Sequence, residues 1–211
     1  MVFGLINGLN NSAENIIGLI SKWKKIIERQ DKVLKKYQII YADPPWKYGC
    51  TGGSKWSPAS NYYKTMTFDE IKALKETLID KIIDEKSCLL FLWVVSPEID
   101  QCIDVAKYWG FKLSTLGFVW YKRRANVGNY TMPGCELCLI FKKGKIPSDR
   151  VRNPGQQQFY AESISRHSRK PNEFRKRIET MYPESNKIEL FAREKHDNWD
   201  VWGNEIDGIK I

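Results

Sequence analysis

Short apolar runs alternate with amphipathic segments along most of the chain. The run 38–42 is rich in strand-forming residues and stops at two prolines, which cannot continue a ladder of strand hydrogen bonds. The run 88–95 is continuously apolar, which is typical of a strand buried on both faces. Further strands are predicted at 115–121, 136–141 and 187–193. These five runs form the predicted core of the fold.

Helical segments lie between the predicted strands. Thr67 is placed to cap a helix that runs to about residue 84, because Glu70 completes a capping box. Further helices are predicted at 96–109 and 171–181, and an N-terminal amphipathic helix at 13–35 is expected to dock on the core or on a partner. This alternation predicts an open, mostly parallel α/β sheet with flanking helices, in which ligands bind beyond the carboxyl ends of the strands.

Composition narrows the class of protein. The chain has 211 residues, of which 42% are hydrophobic, so we expect one folded core. A mean hydropathy of −0.48 and the lack of a long uncharged apolar run argue against a membrane span. Five cysteines, an odd number, suit reduced thiols in a cytoplasmic protein. Cys135 and Cys138 form a single C-x-x-C without a matching pair, so no metal site is expected.

The net charge of +9 is concentrated in one segment. Residues 122–177 hold fourteen basic and four acidic side chains. This asymmetry predicts a basic face for a polyanionic partner such as nucleic acid, with Lys122, Arg123, Arg124 and Arg169 as candidate substrate contacts. The alternative is a solvated surface that keeps the protein in solution.

The sequence Asp43-Pro44-Pro45-Trp46 follows the first predicted strand directly and carries the clearest chemistry. The carboxylate of Asp43 can accept one N–H of a planar amine, and rigid prolines can hold a backbone carbonyl to accept the other. Trp46 supplies a flat face on which a base can stack. This arrangement suits methylation of an exocyclic amine, because Asp43 offsets the positive charge that develops on the nitrogen. The alternative is a rigid turn above an aromatic core residue.

From this motif onward the chain resembles the N6-adenine methyltransferases with a DPPW motif. That family includes the catalytic subunit of the mRNA adenosine methyltransferase and bacterial and phage DNA adenine methyltransferases. The resemblance rests on seven ordered stretches: YADPPW at 41–46, YKTMTFDEI at 63–71, LFLWV at 90–94, GCELCLIF at 134–141, HSRKPNEF at 167–174, IELFAR at 188–193 and WDVWGNEIDGI at 199–209. It implies a permuted Rossmann-like fold, S-adenosylmethionine as the cofactor, and a prokaryotic or phage-encoded protein.

The resemblance also implies roles for individual residues. Asp43 lies near both the methyl donor and the target amine, and Lys170 reaches their junction. Tyr63 helps to hold the target base. The residues implied to line the adenosine of the cofactor are Phe191, Arg193, Asn204 and Glu205. Taken alone, however, Phe191 also suits a plain core position, Lys170 a solvated helix start, and Arg193 an ion pair with Glu194.

These observations give a hypothesis for the whole chain. Residues 1–36 form a helical extension and residues 37–211 a methyltransferase domain, which acts as a monomer, a homodimer or a subunit of a heteromer. The methyl group passes directly to N6 of a flipped or single-stranded adenine in DNA, without a metal or a covalent intermediate. The loops 123–133 and 144–160 are candidates for sequence reading. The alternatives are methylation of RNA, methylation of a small or protein amine, and a nucleic-acid-binding subunit without activity.

Overall fold

The computed structural model of the protein describes residues 35–47, 65–124, 128, 130–164 and 169–203. Several expectations fall outside these residues and stay predictions. They concern the extension 1–36 apart from its last two residues, nearly all of the 47–62 loop, Tyr63, Asn204 and Glu205.

Seven strands form one sheet in the described part of the chain, in the order β5-β3-β4-β2-β1-β6-β7. Their bounds are β1 Ile39–Ala42, β2 Ser87–Val94, β3 Lys112–Tyr121, β4 Cys135–Gly144, β5 Phe159–Ala161, β6 Lys187–Leu190 and β7 Asp200–Trp202. All of the strands run in the same direction except β4, which is antiparallel to both β2 and β3. The predicted α/β sheet, mostly parallel, is therefore confirmed.

Helices cover both faces of the sheet. Their bounds are α1 Phe68–Lys72, a π-helical turn Lys75–Ile79, α2 Asp80–Ile82, a 3-10 turn Ser96–Glu98, α3 Ile99–Tyr108, a second 3-10 turn Ser148–Arg150 and α4 Asn172–Met181. The predicted capping box is present, since the Glu70 amide donates to the Thr67 hydroxyl at 3.2 Å and the Thr67 amide donates to the Glu70 carboxylate at 2.7 Å. No helix in these described stretches is long and apolar enough to cross a membrane.

The strand β1 is buried on both faces and lies between β2 and β6. Because side chains alternate along a strand, Ile40 and Ala42 belong to one core cluster, which contains residues of α3 and the 68–82 segment. Ile39 and Tyr41 belong to the other cluster, which contains residues of α4. Two apolar layers thus fix β1 firmly, and its carboxyl end points the next residue, Asp43, out of the core.

Several predicted bounds differ from the observed ones. Both β3 and β4 are longer than predicted, and β4 continues through residues 142–144, beyond the predicted end at 141. The last predicted strand, 187–193, ends at Leu190 because Phe191 has a left-handed backbone, with φ of 62°. The three-residue strands β5 and β7 were not predicted, since such short runs carry no periodicity of their own.

Candidate active site

The carboxylate of Asp43 lies at the carboxyl end of β1 and is held there by a lysine. Lys170, which directly precedes Pro171 and α4, donates to Asp43 Oδ2 at 2.6 Å. The Lys170 side chain is only 6% exposed, whereas that of Asp43 is 26% exposed. Two of the residues predicted for the site are thus in direct contact, and the alternative of a solvated lysine is wrong.

A second carboxylate completes this cluster. Glu136, on β4, accepts from Lys170 Nζ at 3.1 Å and also pairs with Lys122. The ammonium of Lys170 lies 5.2 Å from the centre of the Trp93 ring, a cation–π contact. Four strands and the start of α4 thus converge on one buried cation between two carboxylates. Glu136 was not predicted as a site residue, although its place in GCELCLIF, one of the stretches that carry the resemblance, was a usable signal.

Burial and charge shift the pKa values of this cluster in different directions. Burial raises the pKa of Asp43 above its usual range, although Lys170 and, more weakly, Arg193 act in the opposite direction. Burial would also raise the pKa of Glu136, but Lys170 and Lys122 outweigh it and hold that pKa below the usual range. The two carboxylates raise the pKa of Lys170 despite its burial, so the lysine stays charged. Asp43 is therefore the carboxylate that takes up a proton most readily.

The two prolines and Trp46 form a rigid turn. The Trp46 amide donates to the Pro44 carbonyl and the Met66 amide donates to the Pro45 carbonyl, both at 2.8 Å. Trp46 itself is 4% exposed, and its indole N–H donates to the Trp93 carbonyl at 3.0 Å. One face of the indole stacks on Phe68, with ring centroids 5.3 Å apart. Trp46 therefore lines the cleft without presenting an open face, which corrects the expectation that a base stacks freely on it.

A cleft of about 240 Å³ opens at Asp43. Its lining residues are Asp43, Pro44, Trp46, Trp93, Val94, Val95, Ser96, Pro97, Lys122, Pro133, Cys135, Glu136 and Lys170. The walls are thus aromatic and aliphatic, and the charged groups converge at one end. A planar, weakly polar ring with one polar edge suits such a cleft.

The segment after β6 carries two of the residues predicted to hold a cofactor. Phe191 is half-buried, packs against the core and meets the Trp202 ring edge-on at 5.4 Å. Its left-handed backbone is unusual for an aromatic residue and marks the point where the chain leaves β6 beside Asp43. The Ala192 amide donates to the Trp202 carbonyl at 3.0 Å, and a Cβ on Gly203 would lie 2.2 Å from the Ala192 oxygen. This tight fit fixes the segment, and Arg193 is exposed at its end.

A network of charges beneath this segment was not predicted. The guanidinium of Arg175, on α4, donates to both carboxylate oxygens of Glu189, at 3.0 and 3.1 Å. Burial, with a smaller contribution from Asp43, raises the pKa of Glu189 to about 7 despite Arg175. Next to it, Glu194 pairs with Arg169 at 2.6 Å, so Arg169 links the segments that precede α4 and follow β6. Glu189 sits in the predicted strand IEL, where a lone acid in an apolar run was the available signal.

The basic segment 122–177 has two parts. Eight of its side chains bind acids or backbone oxygens, namely Lys122, Lys143, Arg150, Arg152, Arg169, Lys170, Arg175 and Arg177. Arg123 and Arg124 are exposed, as are Lys142, Lys145 and Lys176. The expected basic face can therefore draw on only part of these charges, because over half of them serve the interior or local ion pairs.

The simplest alternative for the DPPW motif, a rigid turn above an aromatic core residue, does not account for the geometry. The turn places a carboxylate on a buried lysine at the mouth of a cleft, which a purely structural turn does not need.

The two cysteines of the C-x-x-C lie in different surroundings. Cys138 is buried in the core and Cys135 is exposed at the rim of the cleft. Among the described residues there is no group of three or more metal-binding side chains.

The chain is similar in sequence to known methyltransferases. The MT-A70 family model matches residues 37–205. The chain is 38% identical over 196 residues to the type II methyltransferase M.MunI of a Mycoplasma species, which covers 84% of this chain and 81% of that protein. It is 31% identical over 189 residues to an N(6)-adenosine-methyltransferase MT-A70-like protein of Drosophila melanogaster and 29% identical to the human catalytic subunit METTL3. These matches cover 85% of the chain but only 28% and 30% of those longer proteins.

Proposed function

The chain belongs to the MT-A70 family of methyltransferases, and on this premise we propose that it methylates N6 of adenine in DNA. The observation that carries the proposal is the carboxylate of Asp43, which is held by the buried Lys170 at the mouth of an aromatic cleft. A carboxylate in this position can accept an N–H of the target amine while its other oxygen stays on the lysine.

The cofactor fits the residues that are present. S-adenosylmethionine carries a zwitterionic amino acid end, a sulfonium and an adenosine, and it supplies an electrophilic methyl group when bound. The paired charges of Asp43 and Lys170 are complementary to its charged parts, and the aromatic ring of Phe191 to its adenine. Arg193, together with Asn204 and Glu205, would hold its ribose and base. Family membership supports this assignment.

Asp43 has two tasks in this mechanism. As a carboxylate it orients the exocyclic amine and offsets the positive charge that develops on N6 during attack. Its raised pKa makes it a better acceptor for the proton that N6 releases. Pro44 lines the cleft beside Asp43, and its carbonyl can accept the second N–H, since a carbonyl oxygen that already binds the Trp46 amide has another lone pair.

The choice of DNA rests on the relatives. The type II methyltransferase matches over most of both lengths at 38% identity, whereas the adenosine enzymes are less similar and the chain spans under a third of them. An adenine within a duplex cannot reach the cleft, so the base must be flipped or already unpaired. RNA is the second candidate, and the N(6)-adenosine methyltransferases among the relatives favour it.

The test is methyl transfer by the purified protein. Single-stranded DNA, duplex DNA and RNA of one sequence are incubated with S-adenosylmethionine, and N6-methyladenine is measured by mass spectrometry. We expect product on DNA, and a loss of about 10²–10³-fold in kcat for Asp43→Asn, which removes the charge but keeps the shape.

The matched control is Asp149→Asn, because Asp149 is exposed in the segment after β4, at the other end of the sheet. That variant should behave as the unaltered protein does. Product on RNA alone would transfer the proposal to the second candidate. Equal activity of Asp43→Asn and Asp149→Asn would refute the role of Asp43.

A further inference from the structure

Two exposed aromatic rings lie side by side at one end of the sheet. Tyr121 ends β3, and Phe159 begins the edge strand β5. Their ring centroids are 6.3 Å apart and their planes are inclined by only 23°. Both are unusually exposed for aromatic residues of a sheet, Tyr121 by 39% and Phe159 by 53%. Together they form an exposed aromatic surface, which we call the aromatic platform.

The aromatic platform begins at the rim of the cleft. A Cβ on Gly134 would lie 3.3 Å from the Tyr121 ring, so the ring packs directly over the backbone there. The two neighbours of Gly134 in the chain, Pro133 and Cys135, both line the cleft, and so does Lys122, which follows Tyr121. The Tyr121 ring therefore lies beside the residues that form the rim of the cleft.

The charges around the aromatic platform favour a polyanion. Arg123 and Arg124 follow Tyr121 within three residues and are exposed. The nearby acids are engaged, since Glu136 pairs with Lys122 and Lys170, and the Glu162 carboxylate accepts from the Tyr160 hydroxyl at 3.0 Å. Flat rings beside exposed guanidinium groups are the combination with which proteins bind unpaired nucleotides, whose bases stack and whose phosphates pair with arginine.

We propose that the aromatic platform stacks an unpaired base next to the target adenine, while Arg123 and Arg124 bind its phosphates. This inference rests on the proposed function and names its substrate class, single-stranded or locally opened nucleic acid. A base in a duplex is covered on both faces by its neighbours, so it cannot stack on protein rings until the strand opens. Stacking also tolerates any base, and the surface therefore selects for strand state and not for sequence.

The experiment compares binding of single-stranded and duplex DNA. A fluorescein-labelled 20-nucleotide strand of mixed sequence and the same strand in a duplex are titrated with protein, and Kd is read from anisotropy. Tyr121→Leu combined with Phe159→Leu keeps apolar bulk but removes both flat rings. We expect Kd for the single strand to rise about 10-fold or more and Kd for the duplex to change less than about 2-fold.

Two control variants test whether the effect on binding is specific to the two rings. Tyr121→Phe with Phe159→Tyr keeps both rings and should bind the single strand as the unaltered protein does. Tyr108→Ala removes an aromatic side chain that is 52% exposed on α3, away from the cleft lining, and should leave both Kd values unchanged. S-adenosylmethionine binding, measured by calorimetry, should be equal in all variants and reports that the site is intact.

Three outcomes would overturn the inference. They are unchanged single-strand binding in the leucine variant, an equal loss on both DNA forms, and a dimer in the unaltered protein that the leucine variant abolishes. The last would make the aromatic platform an interface between copies of the chain. Binding is measured without turnover, so ring-dependent binding without methylation would refute the proposed function alone. Methylation with ring-independent binding would refute only this inference.

Discussion

At the scale of single residues, the site depends on one lysine shared by two unequal carboxylates. Lys170 is nearer to Asp43, at 2.6 Å, than to Glu136, at 3.1 Å, yet the pKa of Asp43 is raised and that of Glu136 is lowered. The difference arises because Glu136 has a second cation, Lys122, beside it. The structure thus keeps Glu136 charged as a support and leaves Asp43 able to exchange a proton.

This division predicts opposite pH shifts for two variants. If Asp43 must be ionised, kcat/KM falls on the acid side at the pKa of Asp43, above the usual range of an aspartate. Lys170→Met removes a charge that lowers this pKa, so the acid limb should move to higher pH. Glu136→Gln removes a charge that raises it, so the limb should move to lower pH. The measurement is the pH profile of kcat/KM on the nucleic acid that serves as the substrate.

The control for this prediction is Glu85→Gln, which breaks an exposed pair with Lys143 at the other end of the sheet. Its profile should match that of the unaltered enzyme. Shifts of the same sign for Lys170→Met and Glu136→Gln would contradict the assignment of the limb to Asp43.

At the scale of elements, α4 is joined to β6 by an ion pair. Arg175 on α4 binds Glu189 on β6 with two hydrogen bonds, and both side chains are nearly buried. Glu189 faces the same side of the sheet as Tyr41, with which it is in register, and a guanidinium 6.0 Å from the Tyr41 ring centre completes the contact. A charged pair is therefore built into the layer that supports β1.

Glu189 makes stability depend on pH in a particular window. Its folded pKa of about 7 lies above the ordinary value of 4.5, so the folded state holds the proton more tightly than the unfolded state does. The resulting stabilisation is complete below the unfolded pKa and is lost as pH rises through the folded pKa, with a total of about 3 kcal/mol. Chemical denaturation between pH 4.5 and 7.5 should show this fall in the unaltered protein and a flatter curve for Glu189→Gln. Parallel curves would contradict the shifted pKa.

The elements that the sequence predicted well are those with strong local signals. The apolar run of β2 and the capping box at Thr67 each specify their element within a few residues. The order of the strands has no such local signal. The antiparallel β4 and the short β5 and β7 depend on neighbours that lie far away in the chain. The family resemblance named Asp43 and Lys170 as site residues but not their ion pair, and Glu136 and Glu189 acquire their roles only through partners on other elements.

At the scale of the whole molecule, net charge is a poor guide to surface charge. Much of the positive charge of residues 122–177 is neutralised by partners within the fold, which include the buried Glu189 and the local acid Glu173. Apart from Lys176 on α4, the exposed basic side chains that the structure describes in this segment are divided between the two ends of the sheet. Arg123 and Arg124 follow β3 at the end where Asp43 lies, and Lys142 and Lys145 lie at the opposite end, near the start of β2.

This division gives a test with equal changes in charge. For single-stranded DNA, Arg123→Ala with Arg124→Ala should make the slope of log K against log salt shallower by about 1.5. Fewer phosphate contacts form in this variant, so fewer counterions are released on binding. Lys142→Ala with Lys145→Ala removes the same net charge and should leave the slope nearly unchanged. An equal decrease of the slope in both double variants would mean that DNA binding depends only on the total charge of the protein.

The position of β1 in the sheet also determines when the site can exist. Ile40 pairs with Leu90 on one side and with Ile188 on the other, so the strand that presents Asp43 is completed by a neighbour made near the end of the described chain. During synthesis the carboxylate leaves the ribosome long before Lys170 and β6 do. Long-range closure of this kind is slow and cooperative. A growing chain therefore contains Asp43 before it contains the lysine that holds it, and the site can form only after Lys170 and β6 have been made.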